Sequence, residues 1–168
     1  MIASRMKVMK MNKRKKAHIV SFLCIIAAAI LCVLLFQSPI FNPGRIYYDD
    51  SLLVKENENY HAIKSVGVPI NEGSEGRFSI GRFSGSRTIN IIQIEEGESL
   101  SYSWDVLVER GKFKIVLVDT QNAKIIETIC EGSGKGSMND YNLPAGEYRV
   151  KFVGDYATVE GRFSITQN

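Results

Sequence analysis

The chain has 168 residues, with 21 Lys and Arg against 18 Asp and Glu, and 45% of its residues are hydrophobic. This length allows one ordinary domain with a hydrophobic core and excludes a second domain of similar size. Seven basic residues and no acidic residue precede position 37, so the other 14 basic residues face all 18 acidic residues and leave residues 37–168 with a net charge of −4. The part of the chain outside the basic arm is mildly acidic.

An unbroken apolar segment follows the basic arm. Residues 19–36 carry no charge, and Ser21 is their only polar side chain. A helix of this length spans about 27 Å. The segment therefore predicts a membrane-spanning helix at 17–37, preceded by a basic cytoplasmic arm at 1–16. Because Lys and Arg beside a spanning helix stay on the cytoplasmic side, we predict a single-pass cell-membrane protein with its N-terminus inside and its C-terminal domain outside.

The basic arm has two interpretations. The run at 13–16 consists of four Lys and Arg residues, a composition that nucleic-acid-binding segments share. A basic run beside a spanning helix is more typical of a topology signal, so we predict no nucleic-acid partner. The same charges favour anionic lipids of the inner leaflet, which makes the lipid bilayer a predicted partner.

A basic arm with an apolar run also describes a cleaved secretory signal. The apolar cores of such signals are about 7 to 15 residues long and end at small residues. Here the run continues to Phe36, and the small residues Ala27–Ala29 lie in its middle. Neither Cys24 nor Cys32 follows the small residues that a lipoprotein signal requires. The sequence favours an uncleaved anchor over a cleaved signal.

Three small residues of the predicted helix recur at every fourth position: Cys24, Ala28 and Cys32. This spacing places them on one helix face, where a second helix could approach closely. The alternative is an ordinary lipid-facing surface, because small residues are frequent in spanning helices. This face is the candidate site for formation of a homo-oligomer.

The outer part of the chain contains one cysteine, Cys130. No disulfide can form within it, so its stability has to come from a hydrophobic core. A small extracytoplasmic domain without cross-links is common among bacterial envelope proteins and less usual among animal secreted modules. The sequence therefore favours a bacterial cell envelope as the location.

Residues 38–75 are predicted to form a juxtamembrane linker with short elements that the pattern does not define. From residue 76 onward, apolar and polar residues alternate, which is typical of half-buried antiparallel strands. One strand has this predicted inward face: Leu100, Tyr102, Trp104, Val106 and Val108. Residues 113–118 are almost continuously apolar and predict a central strand, which forms a hairpin with residues 124–130.

Turn sequences recur about every 8 to 12 residues, as in sandwiches and barrels. They lie at 96–97, 110–111, 132–136, 145–146 and 154–155. The pattern predicts an all-β domain at 76–168, an antiparallel β-sandwich of about eight strands with jelly-roll or Ig-like topology. We expect its core to be held together by Trp104.

The tetrapeptide Gly-Arg-Phe-Ser begins at residues 76, 81 and 161. The simplest interpretation is that similar edge strands point Phe inward and Arg outward. The alternative is a repeated binding stripe on the surface, formed by Arg77, Arg82 and Arg162.

Three segments, 111–119, 143–150 and 161–165, combine turn glycines with core aromatic and aliphatic residues. Together they resemble the β-sandwich modules of the bacterial pre-peptidase C-terminal type and, more loosely, Golgi-dynamics domains. The resemblance implies a noncatalytic module of the kind appended to exported proteins.

Residues that catalysis requires are not grouped in this sequence. His61 is the one histidine of the outer part, and no nucleophile motif lies near it. His61, Cys130 and the scattered acids have no zinc-site spacing, and the glycine-rich run at 132–137 lacks the spacing of a phosphate loop. We therefore predict no catalytic residue, no metal, no cofactor and no enzymatic activity.

These observations favour an envelope protein that displays a noncatalytic β-sandwich for binding another protein or a cell-surface polymer. The alternative is a structural or assembly subunit of a membrane complex that acts through its transmembrane helix. Deleting residues 1–36 distinguishes the two, because partner binding survives in the first case and is lost in the second.

The charge bias before the helix generates a prediction of topology. In intact cells, an external protease is expected to digest the domain and spare an epitope tag at residue 1, as measured by immunoblotting. Mass spectrometry of the membrane-extracted protein is expected to show residues 1–36 still attached. A digested tag beside a protected domain would reverse the orientation, and a mature N-terminus near Ser38 would show a cleaved signal.

Overall fold

The computed structural model describes residues 13–38, 42–55, 58–67 and 75–168. The chain divides into two compact units after residue 38. In the described residues, the first unit is a single helix and the second unit is a β domain with short helical segments near its beginning.

The helix α1 (Lys13–Gln37) contains the apolar segment found in the sequence. Its portion His18–Phe36 has a mean hydropathy of 3.2, and among the described residues it is the one helix long and apolar enough to cross a membrane. A signal sequence near an N-terminus can also meet this criterion of length and hydropathy. Cys24, Ala28 and Cys32 all lie within α1, and self-association through them stays a prediction.

The second unit begins with a 3₁₀ helix at Pro43–Tyr48 and the short helix α2 (Asp50–Leu53). Its strands in the described residues are β1 (Asn59–His61), β2 (Lys64–Gly67), β3 (Glu75–Ile94), β4 (Ser99–Asp119), β5 (Lys124–Glu131), β6 (Gly134–Asn142) and β7 (Gly146–Gln167). Strands β3, β4 and β7 have 20, 21 and 22 residues, about twice the length of long strands in most globular proteins.

Each long strand changes neighbours or layers halfway along its length. The strand order is β1-β3-β7-β4-β5, with β2 also beside β3 and β6 also beside β4, and every described pair is antiparallel. The first layer contains β2, β6, the N-terminal halves of β3 and β4, and the C-terminal half of β7. The second layer contains β1, β5 and the other halves. The domain is therefore one antiparallel sheet that is folded across its middle.

Aromatic rings fill the space between the two layers. The ring centroid of Phe78, in the first layer, lies 4.5 Å from that of Phe152 and 6.0 Å from that of Phe113, both in the second layer. The hydroxyl of Tyr102 in the first layer donates to the carboxylate of Glu127 in the second at 2.7 Å. This packing confirms the predicted all-β sandwich preceded by a helix.

The three long strands bend along one line, called the fold line below. It passes through Arg82 in β3, Gly111 in β4 and Tyr156 in β7, where the backbone takes unusual angles. Arg82 and Tyr156 have φ of 50° and 51°, and Gly111 has φ of 71°. Left-handed residues inside a strand bend it while pairing continues on either side. A Cβ atom on Gly111 would clash with the carbonyl oxygens of Asp155 and Tyr156 in the neighbouring strand. Only glycine allows the strands β4 and β7 to approach this closely where they bend.

Two predicted turns, at 110–111 and 154–155, are wrong, because both positions lie inside continuous strands. Gly111 bends β4, and Tyr156, which follows the second predicted turn, bends β7. The turns predicted at 96–97 and 145–146 are confirmed as the connections before β4 and β7. The glycine pattern therefore marks strand ends and the fold line alike, and sequence alone does not distinguish them.

Trp104 lies at the edge of the core. The inward face predicted for β4 is confirmed at Leu100, Tyr102 and Val106, which are at most 3% exposed. Trp104 is only partly buried, because its partner on the edge strand β6 is Gly136, and its ring lies against that glycine. The expectation that Trp104 holds the core together is wrong, since the phenylalanine cluster between the layers occupies the centre.

Residues 43–55, called the strap below, pack on the second layer. Ile46, Tyr47 and Leu53 are 3%, 7% and 0% exposed. They cover the side of the sheet that faces away from the phenylalanine cluster, where they contact Val116, Val118 and Val153. The strap explains why residues 113–118 are almost continuously apolar: that part of β4 is buried on both faces. The structure thus adds the strap and strands β1 and β2 to the domain, in the range expected to be a linker.

A buried lysine fastens the strap. Lys151 is 1% exposed, and its Nζ donates to the carbonyl oxygens of Leu53 at 2.8 Å and Lys55 at 2.6 Å. These carbonyls follow the last turn of α2, where a positive charge is favourable. The hydroxyl of Tyr47 donates to Glu131 at 2.8 Å. Because a buried ammonium group without partners is costly, Lys151 holds the strap in place.

The close approach at the fold line predicts a stability difference between two glycine variants. Gly97 has φ of 90° and nothing near its Cβ position, so Gly97→Ala carries only the backbone cost of about 1–2 kcal/mol. Gly111→Ala adds an overpacking cost of about 1–3 kcal/mol. In denaturant melts, the midpoint of Gly111→Ala is expected to lie well below that of Gly97→Ala. Equal midpoints would mean that β4 and β7 do not approach closely at Gly111.

The strap predicts a second pair of stabilities. Leu53 is 0% exposed and Leu107 is 51% exposed, so the same substitution tests two environments. Leu53→Ala is expected to cost about 2–5 kcal/mol of unfolding free energy, and Leu107→Ala about 0.5 kcal/mol or less. Denaturant melts measure both values. A small effect at Leu53 would show that the strap does not pack on the sheet in solution.

Candidate functional site

A cleft of about 530 Å³ opens at the fold line, where β1, β3 and β7 meet beside the start of the strap. We call it the fold-line cleft. Its lining includes Tyr60, His61, Ile63, Arg82, Ser84 and Tyr156. By comparison, the cleft beside Arg77 and Leu107 on the first layer measures about 420 Å³. The fold-line cleft is a candidate binding site because it combines exposed aromatic rings with polar groups.

Tyr60 forms one wall of the cleft. Its side chain is 42% exposed, and its ring centroid lies 6.1 Å from that of the buried Phe83. The guanidinium carbon of Arg87 lies 5.5 Å from the centre of the Tyr60 ring, within the range of a cation–π contact. These contacts hold the ring while leaving much of it open to solvent.

Tyr156 is the most exposed aromatic residue of the cleft, at 67%. It takes φ of 51°, and its backbone N–H donates to the hydroxyl oxygen of Ser84 at 2.9 Å. The preceding residue, Asp155, accepts a hydrogen bond from the Tyr48 hydroxyl at 2.8 Å. Left-handed non-glycine residues are costly and cluster at functional sites. The bend of β7 thus holds Tyr156 outward from the domain.

Arg82 supplies the formal charge of the cleft. It is exposed and has φ of 50°. Its neighbours fix the backbone on both sides, because Gly81 pairs with Lys64 and Phe83 pairs with Ala157. The described residues give Arg82 no ion-pair partner, and the described lining contains no carboxylate. Among these lining residues, Arg82 therefore carries the formal positive charge.

The described lining of the cleft offers groups for binding. The stacking surfaces are the two tyrosine rings, and hydrogen-bond donors and acceptors come from His61, Arg82 and Ser84.

The predicted arginine stripe divides between two places. Arg77 lies directly opposite Arg162 in the β3–β7 pair, and both guanidinium groups face the carboxylate of Glu75, at 3.8 Å and 3.5 Å. Arg82 instead lies on the fold line. The structure therefore brings Arg77 and Arg162 together and places Arg82 in the fold-line cleft.

Packing accounts for the repeated Gly-Arg-Phe-Ser sequence in β3 and β7. Gly76 lies opposite Phe163, and Phe78 lies opposite Gly161, in the same strand pair as the two arginines. A Cβ on Gly161 would lie 3.1 Å from the Phe78 ring, closer than most real contacts. Gly161 therefore leaves room for the carbonyl oxygen of Asp105, which would lie still closer, and for the Phe78 ring of the other copy.

The remaining reactive groups have structural roles. Cys130 is 6% exposed, its Sγ donates to the carbonyl oxygen of Gly132 at 3.3 Å, and burial raises the pKa of its thiol. Hydrogen bonds from Asn122 and Gln121 lower the pKa of Asp119, which closes the turn after β4. Within the described residues, no three His, Cys, Asp or Glu side chains form a group that could hold a metal.

Sequence reasoning did not identify Tyr60 or Tyr156 as site residues. Tyr60 lies in the range predicted to be linker, and Tyr156 follows the Gly154-Asp155 step that was interpreted as a turn. A signal was present in the second case, because Tyr156 falls on the polar, outward set of the alternation that begins at Ala157.

No protein family matches the sequence, and no curated protein matches it either. Solved structures with a partial likeness include TmCBM61 in complex with β-1,4-galactotriose, with a TM-score of 0.35, 12% identity, and coverage of 67% of this chain and 88% of that chain. Another is a mutant family 29 carbohydrate-binding module complexed with mannohexaose, with a TM-score of 0.30, 16% identity and coverage of 66% and 92%. These likenesses are too distant to assign a ligand, and the resemblance to pre-peptidase C-terminal modules stays a prediction.

Proposed function

We propose that the β domain is a noncatalytic module that binds a polysaccharide in the fold-line cleft. The observation that carries the proposal is the pair of exposed, positioned rings of Tyr60 and Tyr156 in one cleft with polar side chains. This proposal selects the cell-surface polymer from the two partner classes that the sequence left open.

Tyrosine rings are suited to binding sugars because the two have complementary surfaces. A sugar ring has an apolar face of C–H bonds and a rim of hydroxyl groups. The negative face of an aromatic ring attracts polarised hydrogen atoms, and the tyrosine hydroxyl and nearby polar groups can bond to the rim. Exposed aromatic rings gain from this contact because it removes apolar surface from water.

The form of the cleft favours a polymer over a single sugar. The cleft is partly open to solvent, so a ligand longer than the cleft can continue beyond it. A polymer can contact Tyr60 and Tyr156 through different units, and two linked contacts raise the overall affinity without any further binding group.

We further propose that α1 anchors the domain to a membrane, with the domain on the outer side. Support comes from the length and hydropathy of His18–Phe36 and from the basic arm that precedes it. An anchored domain of this kind would hold the cell surface and a polysaccharide together.

The proposal predicts that Tyr156→Ala weakens binding of the full-length, detergent-solubilised protein to a polysaccharide array. Loss of one ring contact is expected to lower the affinity about tenfold. Tyr156→Phe keeps the ring and is expected to stay within about threefold of the unchanged protein.

The matched control is Leu107→Ala, which removes an exposed apolar side chain outside the fold-line cleft. Thermal melts establish that each variant is folded. Unchanged binding by Tyr156→Ala, or failure of the protein to bind any polysaccharide on the array, would contradict the proposed function.

A further inference from the structure

We infer that the polysaccharide is acidic, and that Arg82 pairs with the carboxylates of its uronic acid units. This inference rests on the proposed function, because it names the class of polymer that the same cleft takes. Arg82 would bind the charged groups of the ligand, whereas the tyrosine rings would contact the apolar faces of its sugar units.

The charge of the cleft differs from that of the domain. Residues 37–168 have a net charge of −4, yet the described lining of the cleft carries Arg82 and no carboxylate. The net charge of the domain disfavours a negatively charged polymer, whereas Arg82 favours one at this place. Such a contrast directs an acidic ligand to one site.

Arg82 is available for a ligand because nothing in the described structure neutralises it. By contrast, Arg77 and Arg162 share the carboxylate of Glu75 at 3.8 Å and 3.5 Å. An exposed guanidinium beside an open cleft offers a planar pair of donors, which matches the two oxygens of a carboxylate.

Other groups near the cleft reinforce this charge. Arg87 lies over the ring of Tyr60, and Lys64 is the strand partner of Gly81, next to Arg82. Two described carboxylates of the adjoining segments keep their negative charge, but hydrogen bonds hold them and neither belongs to the described lining. Asp155 accepts from the Tyr48 hydroxyl at 2.8 Å, and Glu58 accepts from the backbone N–H of Thr88 at 2.7 Å.

The backbone supports a positioned role for Arg82. An arginine at φ of 50° occupies a conformation that costs free energy for any residue other than glycine. Phe83, which is 1% exposed, anchors the next position in the core. The bend therefore directs the arginine side chain to the cleft, at the cost of local strain.

The arrangement favours a uronic acid over a phosphate-bearing polymer. In a uronic acid the carboxylate is attached to the sugar ring, so ring face and charge are presented together. Tyr60, Tyr156 and Arg82 line one cleft, which matches that combination. In phosphodiester-linked polymers the charge lies between the units, away from the stacked faces.

The test compares polygalacturonate, alginate and hyaluronan with the same polymers after esterification of their carboxyl groups. Affinity of the full-length protein in detergent is measured by biolayer interferometry. We expect at least one acidic polymer to bind about tenfold or more tightly than its ester. This preference is expected to shrink as NaCl is raised from about 0.05 to 0.5 M, because salt screens the charges.

Arg82→Gln is expected to lower affinity for the acidic polymer to near that of its ester, so that the preference for the acid over the ester is lost. Arg162→Gln is the matched control, since it removes an exposed arginine of the same strand system outside the cleft. A melt confirms that both variants are folded, and the salt dependence of the unchanged protein tests the inference without any variant.

The outcomes separate the inference from the proposed function. Equal affinity for acid and ester, or binding only to neutral polymers, overturns the acidic ligand and leaves the polysaccharide-binding function standing. Binding to a phosphate-bearing wall polymer and to none of the three uronic acid polymers overturns the carboxylate partner. Absence of binding to every polysaccharide overturns both proposals.

Discussion

The bending of three long strands along one line is the constraint on which the rest of this domain depends. Strands β3, β4 and β7 pass through both layers, so the sandwich exists only if they bend at the same level. The glycine at 111 permits a close approach of the β4 and β7 backbones, and left-handed residues in β3 and β7 complete the bend. Once the sheet folds, the phenylalanine rings of the two layers meet and apolar burial stabilises the arrangement.

The fold line also creates the candidate site. A bent strand cannot keep its side chains in the regular alternation of a flat sheet, so residues at the bend point away from both the core and the layer surfaces. Arg82 and Tyr156 are the non-glycine residues placed this way beside the cleft. The same backbone geometry that closes the sandwich therefore presents a charge and an aromatic ring to solvent, and the strap supports it through the bond from Tyr48 to Asp155.

Much of the architecture was predictable because it depends on local patterns. Alternation around Leu100, Tyr102 and Val106 predicted the inward face of β4, since one side of a half-buried strand faces the core and the other faces water. The candidate site was not predictable in the same way. Tyr60 and Tyr156 are separated by almost a hundred positions, and only the pairing of β1 and β7 with opposite sides of β3 brings them together.

The sequence by itself determined the apolar helix, the basic arm before it and the β character of the domain, because each depends on composition or on short-range periodicity. Tertiary structure decided what the glycines do, since one residue type serves both a chain reversal and a strand bend. It also decided that Trp104 lies at an edge, because its cross-strand neighbour is a glycine. The packing of the strap on Val116 and Val153 and the placement of Arg82 in a cleft arise from contacts between distant segments, which no local pattern encodes.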